Sequence, residues 1–146
     1  MTDTGREYQL RLISASGLTA LKTHHAEGVL TVEQAWMLVA SMETVPAATV
    51  RNAIPDALSE VDRQWLTHAS NGPLFAADGT FLISIAGKGS WGAGWTLVKW
   101  SSDSELASNL QDGGDPEFVA LSVDGRFLCA ATTEEYDHWI VTHHFD

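Results

Sequence analysis

LFAADGTFL at residues 74–82 and ALSVDGRFL at residues 120–128 are the two stretches that decide the fold of this chain. Each sets an Asp-Gly pair between apolar runs, at Asp78-Gly79 and at Asp124-Gly125. Asp-Gly is the strongest short hairpin signal, because glycine takes the positive φ that a tight turn requires. Each copy is followed by a further apolar run that begins at a tryptophan, Trp95 after the first copy and Trp139 after the second. The repeat therefore predicts two units of strand, turn, strand, loop and strand.

The second half of the chain contains six short runs that are rich in aromatic and β-branched residues. They span residues 74–77, 81–86, 95–100, 118–122, 127–132 and 138–145. The pattern is similar to that of β-propeller blades, but two units are too few to close a propeller. We therefore predict one antiparallel sheet of about six strands. Residues 101–115, which connect the two units, are predicted to form a solvated loop or one turn of helix.

The first half is predicted to be mainly helical. Residues 31–34, Thr-Val-Glu-Gln, fit a capping box, and the helix that follows should stop before Pro46. A second helix is expected from about Pro55 to His68, where apolar residues recur at three and four positions. Near the N-terminus, residues 7–12 alternate like a strand, while residues 4–7 also fit a capping box. We favour a strand there, then a helix over about 18–27 that Gly28 closes.

These elements predict a single α+β domain over residues 1–146, with a helical layer from 1–70 on a sheet from 71–146. No signal peptide or membrane span is visible in the sequence, and the only cysteine, Cys129, lies in an apolar run. A lone buried thiol suits a reducing compartment, so we expect a soluble, cytoplasmic protein.

Several motifs that carry chemistry are incomplete. GKGSWG at residues 87–92 matches the dinucleotide fingerprint, but a strand rather than a helix is predicted to follow. Along the last strand, His138 and His144 are about 20 Å apart and cannot share one ion. No G-x-S-x-G turn is present. We therefore predict no cofactor, no metal and no enzymatic activity, and treat residues 87–92 as a mobile loop or, because of Trp91, a binding loop.

Charge is unevenly distributed along the chain. Residues 103–146 carry ten carboxylates against one cation, whereas the first 102 residues carry nine acids and seven bases. A concentrated negative field speeds encounter with basic proteins and repels nucleic acid and anionic lipid. We therefore expect a basic protein partner, and neither nucleic acid nor membrane. The predicted contact residues combine acidic groups with exposed aromatic anchors: Asp112, Asp115, Glu117, Glu134, Glu135, Tyr136, Asp137 and Trp91.

In size, acidity and lack of catalytic motifs the chain resembles small bacterial immunity proteins that neutralise a cognate toxin. The acidic residues from Asp112 to Asp137 carry this resemblance, which is one of functional class. It implies an inhibitor that occludes the basic active site of a toxin enzyme domain. Two alternatives stay open: a small enzyme or ligand-binding protein, with a pocket between helices and sheet lined by tryptophans and His68 or His138, and an interaction domain within a larger assembly.

Overall fold

The computed structural model of the protein describes residues 4–24 and 29–145. The helices are α1 (Thr4–Ser16), α2 (Val32–Val39), α3 (Ala57–Asn71) and α4 (Ser90–Ala93). The strands are β1 (Thr19–His24), β2 (Ala48–Arg51), β3 (Thr80–Ile85), β4 (Trp95–Lys99), β5 (Gln111–Asp112), β6 (Asp115–Pro116), β7 (Phe118–Leu121), β8 (Phe127–Thr133) and β9 (Asp137–His144). The fold is α+β, as predicted. None of the helices in the described ranges is long and apolar enough to cross a bilayer.

Seven strands form one antiparallel sheet in the order β1-β4-β3-β7-β8-β9-β2, and β5 pairs with β6 in a separate ribbon. Five of the six strands predicted in the second half belong to this sheet, as β3, β4, β7, β8 and β9. Both of its edge strands, β1 and β2, come from the first half of the chain, which was expected to be mainly helical.

Helices cover both faces of the sheet. On one face, α1 and α3 pack through Ile13 and Trp65 against a core that includes Phe81, Phe118 and Phe127. On the other face, α2 packs against the alternate residues of the same strands. All six positions of β3 and all four of β7 are consequently buried. The single helical layer that the sequence predicted is in fact divided between two sides of the sheet.

The two Asp-Gly turns share their local geometry but not their context. In each turn the glycine has a positive φ, 82° at Gly79 and 76° at Gly125, and the aspartate carboxylate accepts from the backbone N–H two residues on. The Asp124 turn joins β7 to β8 as a hairpin. Before the Asp78 turn, however, residues 74–77 form no strand. The repeated unit is thus a repeated turn rather than a repeated hairpin.

The prediction for the N-terminal stretch was wrong in both parts. Residues 7–12 lie within helix α1, and much of the predicted helix over 18–27 is strand β1; Gly28 lies outside the described residues. The cause is visible on the buried face of α1, where Gly5, Gln9 and Ser16 accompany a single large apolar residue, Ile13. A helix that buries small and polar residues leaves no apolar stripe in the sequence.

Helices α2 and α3 begin close to where their sequence signals predict, but α2 ends at Val39, well before Pro46. The Thr31 hydroxyl accepts from the Gln34 N–H, and the Gln34 side chain accepts from the Thr31 N–H, so the predicted capping box is confirmed. Helix α3 begins two residues after Pro55. The connecting segment of residues 101–115 is not a solvated loop, because Leu106, Ala107 and Leu110 are fully buried in the core beneath α1 and α3.

A side chain of α1 extends the hydrogen-bond ladder of the sheet. Strand β4 pairs with β3 only as far as Ile83, so the backbone of Ile85 has no strand on that side. The Gln9 amide takes its place, since Nε2 donates to the Ile85 carbonyl oxygen at 2.6 Å and Oε1 accepts from the Ile85 N–H at 2.8 Å. Next to it, Gly5 lies against Gly89, where a Cβ would approach the Gly89 oxygen to 2.6 Å. Helix α1 thereby fixes the loop that follows β3.

Candidate acidic binding surface

The predicted acidic residues lie at one end of the sheet. This end contains the last residue of β3, the first residue of β7 and the turn between β8 and β9. The ribbon of β5 and β6 lies against the end of β8, because the Thr133 hydroxyl donates to the Pro116 carbonyl oxygen at 3.1 Å. We call this region the acidic end and define it by six residues. They are Asp112, Asp115, Glu117, Glu134, Glu135 and Asp137.

Glu117 is the most enclosed of the six. Its two carboxylate oxygens accept from the Thr132 hydroxyl at 2.6 Å and from the Thr133 N–H at 2.9 Å. Burial raises the pKa of Glu117 above its ordinary value, these two hydrogen bonds oppose the rise, and the charges of Asp112 and Asp115 add to it. The three carboxyl groups therefore share one local field. Glu117 is partly buried and bound to β8, so it has a structural role rather than that of the exposed contact residue that the sequence predicted.

His138 lies beneath the same surface. It is buried, and its Nδ1 is 2.8 Å from the Thr133 hydroxyl. The Thr133 hydroxyl thus lies within hydrogen-bond distance of both His138 Nδ1 and the Pro116 carbonyl oxygen, and links β9 to β6. Burial lowers the pKa of His138, although the carboxylates of Asp115 and Asp137 act in the opposite direction. His138 therefore supports the β8–β9 turn and, at neutral pH, adds no full positive charge to the acidic end.

The β8–β9 turn projects its side chains from an anchored backbone. Asn52 donates from its backbone N–H to the Tyr136 carbonyl oxygen at 2.9 Å and from its side chain to the Glu135 carbonyl oxygen at 3.2 Å. Glu134 and Glu135 are exposed, and Tyr136 is 64% exposed. Asp137 is partly covered, and its Oδ1 lies 3.8 Å from Arg51 Nε. Of the turn's acids, Glu134 and Glu135 are thus the best placed to meet a partner.

Trp91 stands beside the acidic end in a groove of about 610 Å³. It belongs to the short helix α4, which contacts both α1 and α2, and it is 55% exposed. Asp112 lies on the groove wall and also borders the adjoining hollow at Tyr8 and Arg11. The lining of the groove consists of Trp36, Met37, Ala40, Ala86, Gly87, Lys88, Ser90, Trp91 and Asp112.

Sequence reasoning pointed to residues 87–92 and Asp112 but missed the side of this groove that α2 forms. Trp36 and Met37 lie on helix α2 and line the groove, and Met37 is 64% exposed. The signal was the apolar character of α2 on more than one side, since Ala35, Trp36 and Met37 are consecutive. The glycine-rich stretch of residues 87–92 leads into the single helical turn α4, which ends just before β4. It therefore lacks the long helix on which a dinucleotide fingerprint depends.

Not every carboxylate of the last third belongs to this surface. Asp124 lies in the β7–β8 turn, about 20 Å away along β8, where its carboxylate accepts from the Ser122 hydroxyl. Asp103 and Glu105 lie at the far end of α1, since Gly17 lies against Asp103 and the Glu105 N–H donates to the Ser16 carbonyl oxygen. Asp146 is outside the described residues. The charge asymmetry of the sequence therefore suggests more carboxylates at the acidic end than the structure places there.

Within residues 4–24 and 29–145, no group of three or more His, Cys, Asp or Glu side chains is arranged to hold a metal ion. Cys129 is buried, and burial raises the pKa of its thiol well above the ordinary value. Comparison of the chain with protein-family models, with curated proteins and with solved structures gives no match.

Glu117→Gln is expected to stabilise the protein at neutral pH. A folded-state pKa above 4.5, the ordinary glutamate value, means that the charged carboxylate costs stability as pH rises through the raised pKa. A glutamine can still accept from the Thr133 N–H and can donate to the Thr132 hydroxyl. Thermal melts should therefore show a higher Tm for the variant at about pH 7 and convergence with wild type at about pH 4. A lower Tm for the variant at neutral pH would contradict this account of Glu117.

Proposed function

We propose that the protein is a binding protein of the immunity or inhibitor class that occludes the basic active site of a bacterial toxin enzyme with its acidic end. The observation that carries the proposal is the grouping of the six acidic residues at one end of the sheet, with Glu134 and Glu135 exposed on the β8–β9 turn. Like charges held together repel one another, and a cationic partner relieves that repulsion.

The exposed aromatic residues support the same proposal. Trp91 and Tyr136 are both more than half exposed and flank the acidic residues. Tyrosine and tryptophan dominate binding energy at protein interfaces, while charged groups at the rim mainly raise the association rate. The surface thus combines anchors with steering charges, which is what an inhibitor needs in order to find and retain a basic active site.

The alternative function is a small ligand-binding protein or enzyme, and the groove beside Trp91 is the observation that favours it. The groove is apolar on one side and carries Lys88 and Asp112 on another. Concave apolar sites with a few polar groups are typical of small-molecule sites. Of the histidines suggested by the sequence, neither His68 nor His138 lines this groove. Exchange of the turn acids separates the two functions, because a small ligand bound in the groove does not reach Glu134 and Glu135.

The test uses co-expression with a candidate toxin encoded beside this gene, followed by kinetics of the purified pair. Glu134→Ser/Glu135→Ser should slow association about threefold to tenfold at low salt and match wild type at high salt, because rim charges act through long-range steering. Neither side chain supports the fold through a hydrogen bond or ion pair seen in the structure, so the Tm should stay unchanged.

Asp103→Ser/Glu105→Ser is the matched control, since it removes two exposed carboxylates from the far end of α1. The control should retain most of the wild-type association rate. Equal rates for the two double variants at low salt would refute steering by the acidic end. Failure of wild type to protect cells against any neighbouring toxin would count against the inhibitor class as a whole.

A further inference from the structure

The groove beside the acidic end offers an unusual amount of exposed apolar surface. Trp91 is 55% exposed and Met37 is 64% exposed, and both lie on its walls together with Trp36. Large apolar side chains that share one concave surface are typical of docking sites. The polar groups on the same walls indicate what kind of side chain the groove accepts.

We propose that the groove binds an arginine side chain on a peptide segment of the basic partner, with the guanidinium facing Asp112 and stacked on Trp91. The inference rests on the proposed function and names the anchor by which the partner is held. It assigns different tasks to the two parts of the surface: Glu134 and Glu135 guide the partner, and the groove retains it.

Charge complementarity is the first argument for a cation. Asp112 lies on the groove wall, and its charge reaches both Glu117 and Tyr8, raising the pKa of each in addition to the larger effect of burial. Lys88 lies on the same walls and opposes a cation. Asp112 and Asp115 both interact electrostatically with Glu117, so three acidic groups outnumber two cations, Lys88 and Arg11, of which Arg11 borders the adjoining hollow with Asp112.

The combination of a carboxylate with an indole favours arginine over lysine. A guanidinium is planar, stacks on the face of an aromatic ring and donates two parallel hydrogen bonds to a carboxylate. A lysine ammonium is compact and more strongly hydrated, so it gains less from an exposed tryptophan. The methylene stem of arginine also suits apolar neighbours such as Met37 and Ala40.

A second, independent observation concerns Trp36. Its indole N–H is buried and has no acceptor in the part of the chain that the structure describes. A buried donor without an acceptor is destabilising. Because this N–H is enclosed, a peptide bound in the groove supplies the missing acceptor only when the Trp36 ring turns to expose it.

The tryptophan indole N–H signals allow a direct test by NMR. The full chain is titrated with acetyl-Gly-Arg-Gly-amide, and in parallel with the lysine and citrulline analogues. The indole signals of Trp36 and Trp91 should shift and saturate. Those of Trp65 and Trp95 serve as internal references, because each N–H already donates to a backbone oxygen, of Cys129 and Leu30 respectively. The lysine peptide should bind more weakly, and the uncharged citrulline peptide weakest of all.

Three variants change the affinity for the arginine peptide, two by weakening it and one by strengthening it. Asp112→Asn should weaken binding of the arginine peptide about tenfold, by loss of a charge-assisted hydrogen bond. Trp91→Ala should weaken it about threefold, by loss of the cation–π contact. Lys88→Gln should strengthen it about twofold, because a nearby like charge is removed. Asp103→Asn is the control, since Asp103 is exposed at the far end of α1 and does not line the groove.

Equal binding of the citrulline and arginine peptides would overturn the proposal, as would equal shifts of all the indole signals or weaker binding by Lys88→Gln. The outcome is separable from that of the proposed function. If the peptide fails to bind while Glu134→Ser/Glu135→Ser still slows association with a toxin, the arginine anchor is wrong and the acidic end stands. If the peptide binds but the turn acids have no effect on association, steering by the turn is wrong and the anchor stands.

Discussion

Gln9→Leu should lower the free energy of unfolding by about 4 kcal/mol, because each of two backbone groups left buried without a partner costs about 1–3 kcal/mol. The Gln9 amide donates to the carbonyl oxygen of Ile85 and accepts from its N–H, and the side chain is only 1% exposed. No strand is available to replace it, because β4 pairs with β3 only as far as Ile83. Thermal or denaturant unfolding measures the loss, which corresponds to a fall in Tm of about 10 °C or more.

Gln34→Leu is the matched control for this change. Gln34 also accepts from a backbone N–H, that of Thr31, but the bond is exposed to solvent. Water replaces such a bond, so the expected loss is about 1 kcal/mol or less. Similar losses for the two variants would show that the Ile85 backbone finds another partner.

Gln9→Glu adds a test with a pH signature. An ionised carboxylate can accept from the Ile85 N–H but cannot donate to the Ile85 carbonyl oxygen, whereas a protonated carboxyl group can do both. The variant should therefore be much less stable than wild type at neutral pH and recover part of the difference on acidification. A difference between variant and wild type that does not change with pH would exclude the two-bond arrangement.

Trp65→Ala should cost about 3–5 kcal/mol of unfolding free energy, the usual range for deletion of a buried large aromatic side chain. Trp65 is fully buried at the centre of an aromatic cluster, and its ring centroid lies 5.7 Å from that of Phe118 and 6.0 Å from that of Trp100. Its indole N–H also donates to the Cys129 carbonyl oxygen at 3.2 Å, which ties α3 to β8. Unfolding monitored by circular dichroism measures the loss.

Trp91→Ala is the control, because it removes the same side chain from an exposed position. We expect a change of about 0.5 kcal/mol or less, as for most surface substitutions. A fall in Tm comparable to that of Trp65→Ala would assign Trp91 to the core and remove it from the proposed binding surface. If both variants behave as expected, the two tryptophans have separate roles in stability and in binding.

Individual elements of the fold could be predicted from the sequence where a local pattern determines the structure. The Asp124-Gly125 turn and the capping box at Thr31 are such cases, because their hydrogen bonds lie within a few residues. The identity of α1 and β1 could not be predicted, since the buried face of α1 depends on Gln9 meeting Ile85 and on Gly5 meeting Gly89. Those contacts join distant parts of the chain and leave no periodic signal.

For the site, the sequence indicated the right residue types but not their tasks. Glu134, Glu135 and Tyr136 are exposed, as their turn composition suggested. Glu117 looked equivalent to its acidic neighbours, yet it is committed to Thr132 and Thr133 on the adjacent strand. The sequence did not indicate Trp36 and Met37 as site residues, because Trp91, which lines the same groove, follows more than fifty residues later. Proximity of this kind arises from the topology of the sheet.

The contact between Gly5 and Gly89 determines how the protein should be attached to a sensor surface. An affinity tag placed ahead of Thr4 would emerge next to the loop that carries Trp91, where it could block an incoming protein. Phe145 donates its N–H to the Arg126 carbonyl oxygen at the opposite end of β8, about 20 Å away. Immobilisation through a C-terminal tag would therefore leave the binding surface facing the solution.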